Sequence, residues 1–284
     1  MPDFKVLQKV RGIPTSDGAG VRLNRLIGTT HLRHIDPFLM LDEFKSDQPD
    51  DYIAGFPPHP HRGFETITYL LQGSLRHEDH MGNVGLLKSG GVQWMTAGAG
   101  IIHSEMPMQE KGLLWGFQFW LNLPAKDKMT EPHYQDLSAE QIPVVVDDNG
   151  VKRKVVAGHS LGIDGPIQRA ATQPLMVDIV LPASSEIEHP ISKGHQGFVY
   201  VYGGETFLPA ADLVLKQGEL LVFTGDLLSL QSSEGAGVLL VTGQPLQEPI
   251  VQYGPFVMNS EQEIQQAFDD YQSGVLAKVA EKIG

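Results

Sequence analysis

The sequence predicts an all-β fold in which a sandwich or barrel occurs twice. Short runs of β-branched, leucine and aromatic residues, such as Thr66–Leu71 and Gly197–Tyr202, are separated by glycine and proline along most of the chain. This alternation of short strands and turns is typical of sandwiches and barrels. Two matched segments recur in the same order in both halves, which indicates an internal duplication. A clear helical pattern occurs only near the C-terminus.

The duplication rests on two pairs of short segments. Residues 61–64 (HRGF) and 195–198 (HQGF) each precede a predicted strand, and residues 87–96 match residues 215–224, where a turn with lysine and glycine leads into a strand. Because both pairs keep their order, the sequence predicts two related β-domains. Residues 124–143 are polar, contain three prolines and lack strand periodicity, so we expect them to connect the two halves.

One helix is predicted near the C-terminus. Ser260 and Glu263 have the spacing of a capping box, apolar residues follow at helical intervals from Ile264, and Gly274 marks the expected end. No other segment combines these signals.

Composition limits the possible functions. The 284 residues are 41% hydrophobic, which is enough for a substantial core, and contain no cysteine, so any metal must bind to nitrogen and oxygen. The formal charge of −13 argues against direct binding of nucleic acid. The longest basic run, Lys152–Lys154, follows the turn Asp147–Gly150 and is interpreted as part of a solvated hairpin.

No apolar run is long enough to span a membrane, and the N-terminus lacks the apolar stretch of a signal peptide. We therefore expect no membrane contact and a cytoplasmic location, or a nuclear one reached by a route that the sequence does not reveal.

Two histidines, His59 and His61, flank Pro60 and form the first candidate for chemistry. With 11 histidines in 284 residues, one His-x-His triplet is expected about 0.4 times by chance, so the triplet alone is weak evidence. On an extended strand, however, residues i and i+2 point to the same face, and both rings can reach one ion. His103 and Glu105 have the same spacing. If two such strands face each other across a barrel, three imidazoles and one carboxylate meet at one point.

Such a ligand set without sulfur suits Fe(II), Mn, Co, Ni, Cu or Zn and leaves open positions on an octahedral ion. Glu65 has the same strand parity as His61, so it is either a further ligand, a hydrogen-bond acceptor beside a ligand, or an ordinary structural carboxylate. His77 and His80 lie in a polar, turn-like stretch and are interpreted as parts of a solvated hairpin. Aromatic residues from Trp94 to Trp120 are expected to fill the barrel.

Two stretches carry a family resemblance. The segments "HPHRGFETITYLLQG" (59–73) and "QWMTAGAGIIHSEMP" (93–107) closely resemble the pirin family, and a looser similarity extends over the whole chain. The resemblance implies two tandem cupin barrels, that is, double-stranded β-helix or jelly-roll domains, with a short C-terminal helix. It implies a metal-binding N-terminal cupin over residues 1–133 and a metal-free C-terminal cupin over residues 134–284.

Carried over by motif, the metal ligands of the family fall on His59, His61, His103 and Glu105, the four residues that strand parity also selects. The resemblance implies a mononuclear non-haem iron, Fe(II) or Fe(III), with Mn, Co, Ni, Cu or Zn as alternatives. Ala99 stands where the family often has arginine, so a positive charge near the site is missing.

The second half lacks most of this ligand set. Lys193 takes the position of His59, His195 remains, and residues 231–233 fall where His103 to Glu105 would be expected. One histidine cannot hold a transition metal tightly, so we expect the C-terminal cupin to be metal-free.

The resemblance implies an oxidoreductase similar to quercetin 2,3-dioxygenases, which open the ring of a flavonol, a small aromatic substrate, with O₂. Glu105 would then be both a ligand and the catalytic base that takes the proton of the substrate hydroxyl. The alternative is a redox-sensing regulator, since eukaryotic pirins act as nuclear cofactors of transcription factors and a bacterial pirin is linked to pyruvate metabolism. In that case a change between Fe(II) and Fe(III) would alter loops that touch a protein partner. A purely structural metal is a third reading, and a monomer is expected.

Overall fold

The computed structural model describes residues 4–277, and nearly all of its regular structure is β-strand. The first twelve strands are β1 (Phe4–Arg11), β2 (Ile13–Asp17), β3 (Val21–Ile27), β4 (Phe38–Ser46), β5 (Phe56–His61), β6 (Phe64–Gln72), β7 (Ser74–Asp79), β8 (Val84–Lys88), β9 (Val92–Thr96), β10 (Ile101–Pro107), β11 (Leu114–Asn122) and β12 (His133–Leu137).

The remaining strands are β13 (Val144–Val146), β14 (Lys152–Ala157), β15 (His159–Ser160), β16 (Ile163–Asp164), β17 (Leu175–Leu181), β18 (Ser185–Pro190), β19 (Gln196–Leu208), β20 (Leu213–Lys216), β21 (Glu219–Gly225), β22 (Leu227–Ser232), β23 (Ala236–Gly243), β24 (Val251–Tyr253) and β25 (Phe256–Met258). The helices are α1 (Glu261–Gln272) and the short 3₁₀ segments Pro49–Asp51, Ala125–Asp127, Ala139–Gln141 and Pro209–Ala211. No helix within residues 4–277 is long and apolar enough to cross a membrane.

The strands form two compact units. The first barrel comprises Pro14–Arg25, Phe38–Ala139 and the described residues from Gln247 onward. The second barrel comprises the described residues up to Ile13, together with Leu26–Pro37 and Glu140–Leu246. A single boundary between residues 133 and 134 therefore does not separate these two units. As a boundary between domains defined by sequence, it stays a prediction. The outermost predicted limits, at residues 1 and 284, lie outside the described residues.

Both barrels have the same strand order, which confirms the predicted all-β fold with two related domains. The first barrel has the sheet β12-β9-β6-β11-β4-β3-β2 and a four-stranded sheet β5-β10-β7-β8. The second barrel repeats this with β1-β21-β19-β23-β17-β14-β13, while β18, β22, the end of β19 and β20 pair in the corresponding smaller ladder. The matched segments of the sequence lead into β6 and β19, which have the same place in the two orders.

The predicted C-terminal helix is confirmed as α1. The backbone N–H of Glu263 donates to Oγ of Ser260, the N-cap residue, at 3.3 Å, and the Glu263 carboxylate accepts from the backbone N–H of Asn259, the residue before the N-cap, at 3.1 Å. Such a cap contributes about 1 kcal/mol to helix stability. Ile264 and Ala267 are buried in one apolar cluster with Phe256 of β25, so the helix packs on the first barrel.

Two predictions are wrong in part, namely that residues 124–143 form only a connection and that residues 147–154 form a solvated hairpin. Within residues 124–143, β12 pairs with β9 as an edge strand, and an exposed edge strand needs no apolar alternation to form its hydrogen bonds. The turn at Asp147 joins β13 and β14 as expected, but Arg153 and Lys154 are buried because β14 lies between β13 and β17.

A buried cation, Lys128, ties three segments of the first barrel together. Its Nζ donates to the carbonyl oxygens of Gly63 at 2.8 Å and Val257 at 3.0 Å, and to Oδ1 of Asn122 at 2.6 Å. Burial lowers the pKa of Lys128 to about 8. Gly63 has a φ of +89°, and a Cβ there would overlap the Val257 carbonyl, so this close approach requires glycine.

Replacing Lys128 with methionine leaves three buried acceptors without a donor. We expect Lys128→Met to reduce the free energy of unfolding by about 2–4 kcal/mol, measured by urea denaturation. The exposed neighbour Lys126 provides the matched control, since Lys126→Met should stay within about 0.5 kcal/mol of wild type. Equal losses in the two variants would contradict the role given to the buried contacts.

Candidate metal centre

Three of the predicted ligands meet on the smaller sheet of the first barrel. The antiparallel pairing of β5 and β10 places His59 opposite His103, and His61 has the same strand parity as His59. The ring centroids of His59 and His103 are 4.4 Å apart, and His61 lies 4.7 and 5.0 Å from these two rings. One nitrogen from each ring lies within 4.8 Å of the others, an arrangement that can hold a metal ion.

Burial favours the neutral form of two of these imidazoles, His61 and His103. His61 and His103 are almost completely inaccessible, and burial lowers the pKa of both well below the ordinary value. Neighbouring histidines lower both pKa values further, whereas the Pro255 carbonyl opposes the shift at His61. A metal binds the neutral form of imidazole, so these residues need not lose a proton near neutral pH.

The free nitrogens of the three rings fit a metal. Nδ1 of His61 and Nε2 of His103 are buried without a hydrogen-bond partner among the described residues. Nδ1 of His59 lies 2.8 Å from the Pro57 carbonyl oxygen, and since a carbonyl only accepts, Nδ1 carries the proton and Nε2 keeps its lone pair. Buried polar atoms are rarely left unpaired, so a bound cation would satisfy these nitrogens.

Glu105 lies beside this group but outside it. The residue is buried on β10, and its Oε1 accepts a hydrogen bond of 2.9 Å from Oγ1 of Thr68 on β6. Oγ1 of Thr68 also lies 2.8 Å from the side-chain amide of Gln118. A hydroxyl has one proton, so the Gln118 amide must turn its NH₂ group toward Thr68. The polar pair Thr68 and Gln118 thus orients the Glu105 carboxylate, and its role as a fourth ligand stays a prediction.

His77 lies beside the site, although its polar sequence context predicts an exposed position. It lies on β7 directly opposite Glu105, is only 3% exposed, and its Nδ1 is 3.4 Å from Nδ1 of His103. The interpretation as a solvated hairpin residue is therefore wrong for His77. Leu75, His77 and Asp79 are alternately buried along β7, but only Leu75 is apolar, so the sequence carries no periodic signal for this burial.

The remaining candidates stand apart from the histidine cluster. Oε1 of Glu65 accepts a hydrogen bond of 2.7 Å from Oγ1 of Thr96. His80 is half-buried and its Nδ1 accepts the backbone N–H of Ile102 at 3.3 Å, whereas His34 is exposed.

Of the aromatic residues expected to fill the barrel, Trp120 lies beside the histidine cluster, whereas Phe117 and Phe119 project from the opposite face of the sheet. Trp94, Phe117 and Phe119 are buried. Trp120 is only half-buried, and its ring packs edge-on against His61 with centroids 5.3 Å apart. It also packs against Phe64 at 4.4 Å, so Phe64 and Trp120 form an aromatic wall beside the cluster.

Comparison with known proteins agrees with this fold. The sequence profile of the pirin family matches residues 20–121, and the profile of the pirin C-terminal cupin domain matches residues 176–277. The chain belongs to the pirin family. A Pseudomonas aeruginosa relative of the family named "Putative quercetin 2,3-dioxygenase" is 51% identical over 279 residues, which cover 96% of this chain and 98% of that protein.

Two further comparisons extend the similarity to human pirin and to a solved structure. Human pirin is 40% identical over 275 residues, covering 95% of this chain and 92% of that protein. The crystal structure of quercetin 2,3-dioxygenase from Acinetobacter baumannii superposes with a TM-score of 0.90 at 32% identity, covering 98% of this chain and 99% of that one. The predicted pair of cupin domains is thus confirmed for this pirin.

The second cupin of this pirin has a different interior. Its smaller ladder contributes Ile187, Leu208, Leu228 and Leu230, all buried in one apolar cluster. Lys193 is exposed, and Nδ1 of His195 lies 3.2 Å from Oγ1 of Thr242. The absence of a metal from this cupin stays a prediction, which the apolar filling supports.

We expect one metal equivalent per chain, measured by elemental analysis after loading and desalting. His61→Ala and His103→Ala should each lose the metal, because two histidines bind far more weakly than three. His34→Ala, which changes an exposed histidine, should retain one equivalent. Two equivalents in the wild type would contradict the assignment to a single cupin.

His77→Ala should weaken metal binding about 10- to 100-fold, as expected when a hydrogen-bond partner of a ligand is lost. When His77 accepts the proton on Nδ1 of His103, the lone pair of the His103 ring lies on Nε2, which is the nitrogen free to bind the metal. A competition titration with a chromogenic chelator measures the affinity, and His77→Gln, whose amide oxygen can accept the same proton, should restore part of it. Unchanged affinity in His77→Ala would refute this role.

Proposed function

We propose that this pirin is a metal-dependent dioxygenase of the quercetin 2,3-dioxygenase type, which opens the ring of a flavonol with O₂. The observation that carries the proposal is the group of three histidines beside the buried Glu105 carboxylate, in which His61 and His103 have buried nitrogens without a described partner. The names of the Pseudomonas and Acinetobacter relatives support the substrate class. Iron is proposed as the metal, with Mn, Co, Ni, Cu and Zn as alternatives that the donor set also suits.

In this proposal His59, His61 and His103 hold the ion, and Glu105 is the fourth ligand. When bound, the ion supplies a Lewis acid with open coordination positions and, for iron, a second accessible oxidation state. Three neutral imidazoles and one carboxylate leave a divalent ion with a net charge of about +1, which favours an anionic oxygen of the substrate.

Glu105 is proposed to take the proton of the flavonol hydroxyl. Thr68 donates to Oε1 of Glu105, which leaves Oε2 free of any described hydrogen bond and able to accept a proton. The contact also fixes the orientation of the carboxylate, because Thr68 is itself held by Gln118 on the neighbouring strand. A general base placed in this way contributes about 10²- to 10⁴-fold to the rate.

The aromatic wall offers a surface for a planar substrate. Trp120 is half-buried, so part of its ring is accessible, and its edge-on contact with His61 keeps it next to the proposed ligands. Phe64 is completely buried behind it and excludes water from that side. Offset stacking of a flavonol ring on such a surface contributes about 0.5–1.5 kcal/mol beyond the area buried.

Glu105→Gln should lower kcat for quercetin about 100-fold or more, because the amide cannot take the proton. The assay admits O₂ to anaerobically loaded protein with quercetin, follows the loss of flavonol absorbance, and measures the metal content of each sample. Glu110→Gln, which changes an exposed glutamate, is the matched control and should retain full activity.

Absence of metal-dependent turnover by fully loaded wild-type protein would refute the enzymatic proposal. The regulatory alternative makes the opposite prediction, namely no turnover together with capture of a protein partner that depends on the oxidation state of the iron.

A further inference from the structure

The second barrel contains a buried arginine with which no carboxylate of residues 4–277 forms an ion pair. Arg153 lies on β14 directly opposite Ile179 of β17, and paired residues project on the same face of a sheet. Ile179 belongs to the apolar core of the second barrel, as do Val151 and Val155, which have the same strand parity as Arg153. The side chain of Arg153 therefore projects toward the barrel interior, where it is only 6% exposed.

The guanidinium of Arg153 is incompletely satisfied. Its Nε and Nη1 are both buried and have no hydrogen-bond partner among the described residues, and no described carboxylate forms an ion pair with it. A guanidinium does not lose its proton in a protein, so neutralisation cannot relieve its burial. Leaving such a charge unpaired in the interior is strongly unfavourable, which makes an external anion the simplest source of compensation.

A second buried basic side chain, His189, lies near Arg153. His189 on β18 is opposite Leu228, another residue of the same core, and is 1% exposed. Burial, followed by the nearby charges of Arg153 and His159, lowers the pKa of His189 to about 4, although the Pro190 carbonyl opposes this shift. His159 itself is exposed, and its Nδ1 lies 2.8 Å from Oδ1 of Asp164.

Ser160 supplies the remaining polar atom. Its Oγ lies 2.8 Å from Nε2 of His189, while Nδ1 of His189 lies 2.8 Å from the Pro190 carbonyl oxygen. Since that carbonyl only accepts, Nδ1 carries the proton and the Ser160 hydroxyl donates to Nε2. The hydroxyl can rotate toward an incoming acceptor, but Arg153 alone offers donors that have no other partner.

We propose that the second barrel binds a small oxoanion, either a carboxylate or inorganic phosphate, on Arg153 at the position lined by His189 and Ser160. The planar guanidinium suits both kinds of oxoanion, which share the arrangement of acceptor oxygens. This site is separate from the histidine cluster, since every residue that forms it belongs to the second barrel. It requires no metal and does not depend on the proposed dioxygenase activity.

The test is thermal unfolding of the full-length protein at constant ionic strength, with sodium chloride replaced stepwise by sodium phosphate or sodium acetate. Wild type should show a saturable rise in Tm with at least one of the two anions. At 100 times the Kd, the ratio of folded to unfolded protein should rise about 100-fold. Response to phosphate alone, to acetate alone or to both identifies the class of oxoanion, and response to neither overturns the proposal.

Substitutions test whether the rise in Tm depends on Arg153. Arg153→Met should abolish the rise in Tm, and in chloride it should unfold at the same Tm as wild type or a higher one, because the uncompensated charge is gone. Lys152→Met, which changes the exposed neighbour on the same strand, should respond like wild type. Arg153→Lys keeps the charge but not the planar donor set, so its Kd should be about 10-fold higher. An equal anion response in wild type and Arg153→Met, or an equal Kd in wild type and Arg153→Lys, would overturn the proposal.

Discussion

The antiparallel register of β5 against β10 is the constraint on which the candidate metal centre depends. It places His59 opposite His103, and the two-residue period of a strand then brings His61 to the same face. A slip of one residue would turn all three rings to the other face of the sheet. The turn after His61 is held by Lys128, whose buried ammonium donates to the carbonyl oxygens of Gly63 and Val257.

The two barrels have the same strand order but different side chains in their interiors. Buried positions on the smaller ladders carry imidazole and carboxylate groups in the first barrel and, beside His189, the apolar residues Ile187, Leu228 and Leu230 in the second. Apolar side chains at these places add core packing, whereas polar ones must each find a partner. Family members with such a duplicated fold can therefore keep metal chemistry in one half and lose it from the other without changing the topology.

The burial predicted from local sequence was wrong at two residues for the same physical reason. His77 and Arg153 both lie in short polar stretches, which ordinarily indicate exposed turns, yet both are buried. Each belongs to a strand with neighbours on both sides, β7 between β10 and β8 and β14 between β13 and β17, so long-range pairing overrides local polarity. The segment that contains β12 shows the converse case, because an edge strand forms from polar residues that carry no periodic signal.

Spacing and periodicity in the sequence alone determined the all-β class, the duplication, the capped C-terminal helix and the group of His59, His61 and His103. The helix cap depends on residues that are close in sequence, the histidine group on the two-residue period of a strand, and the duplication on matched motifs that keep their order. The tertiary structure alone decided the contact of His77 with His103, the orientation of Glu105 by Thr68, and the burial of Arg153 without a counter-charge. These depend on which strands pair and in what register, and pairing joins residues so far apart in sequence that no local pattern records it.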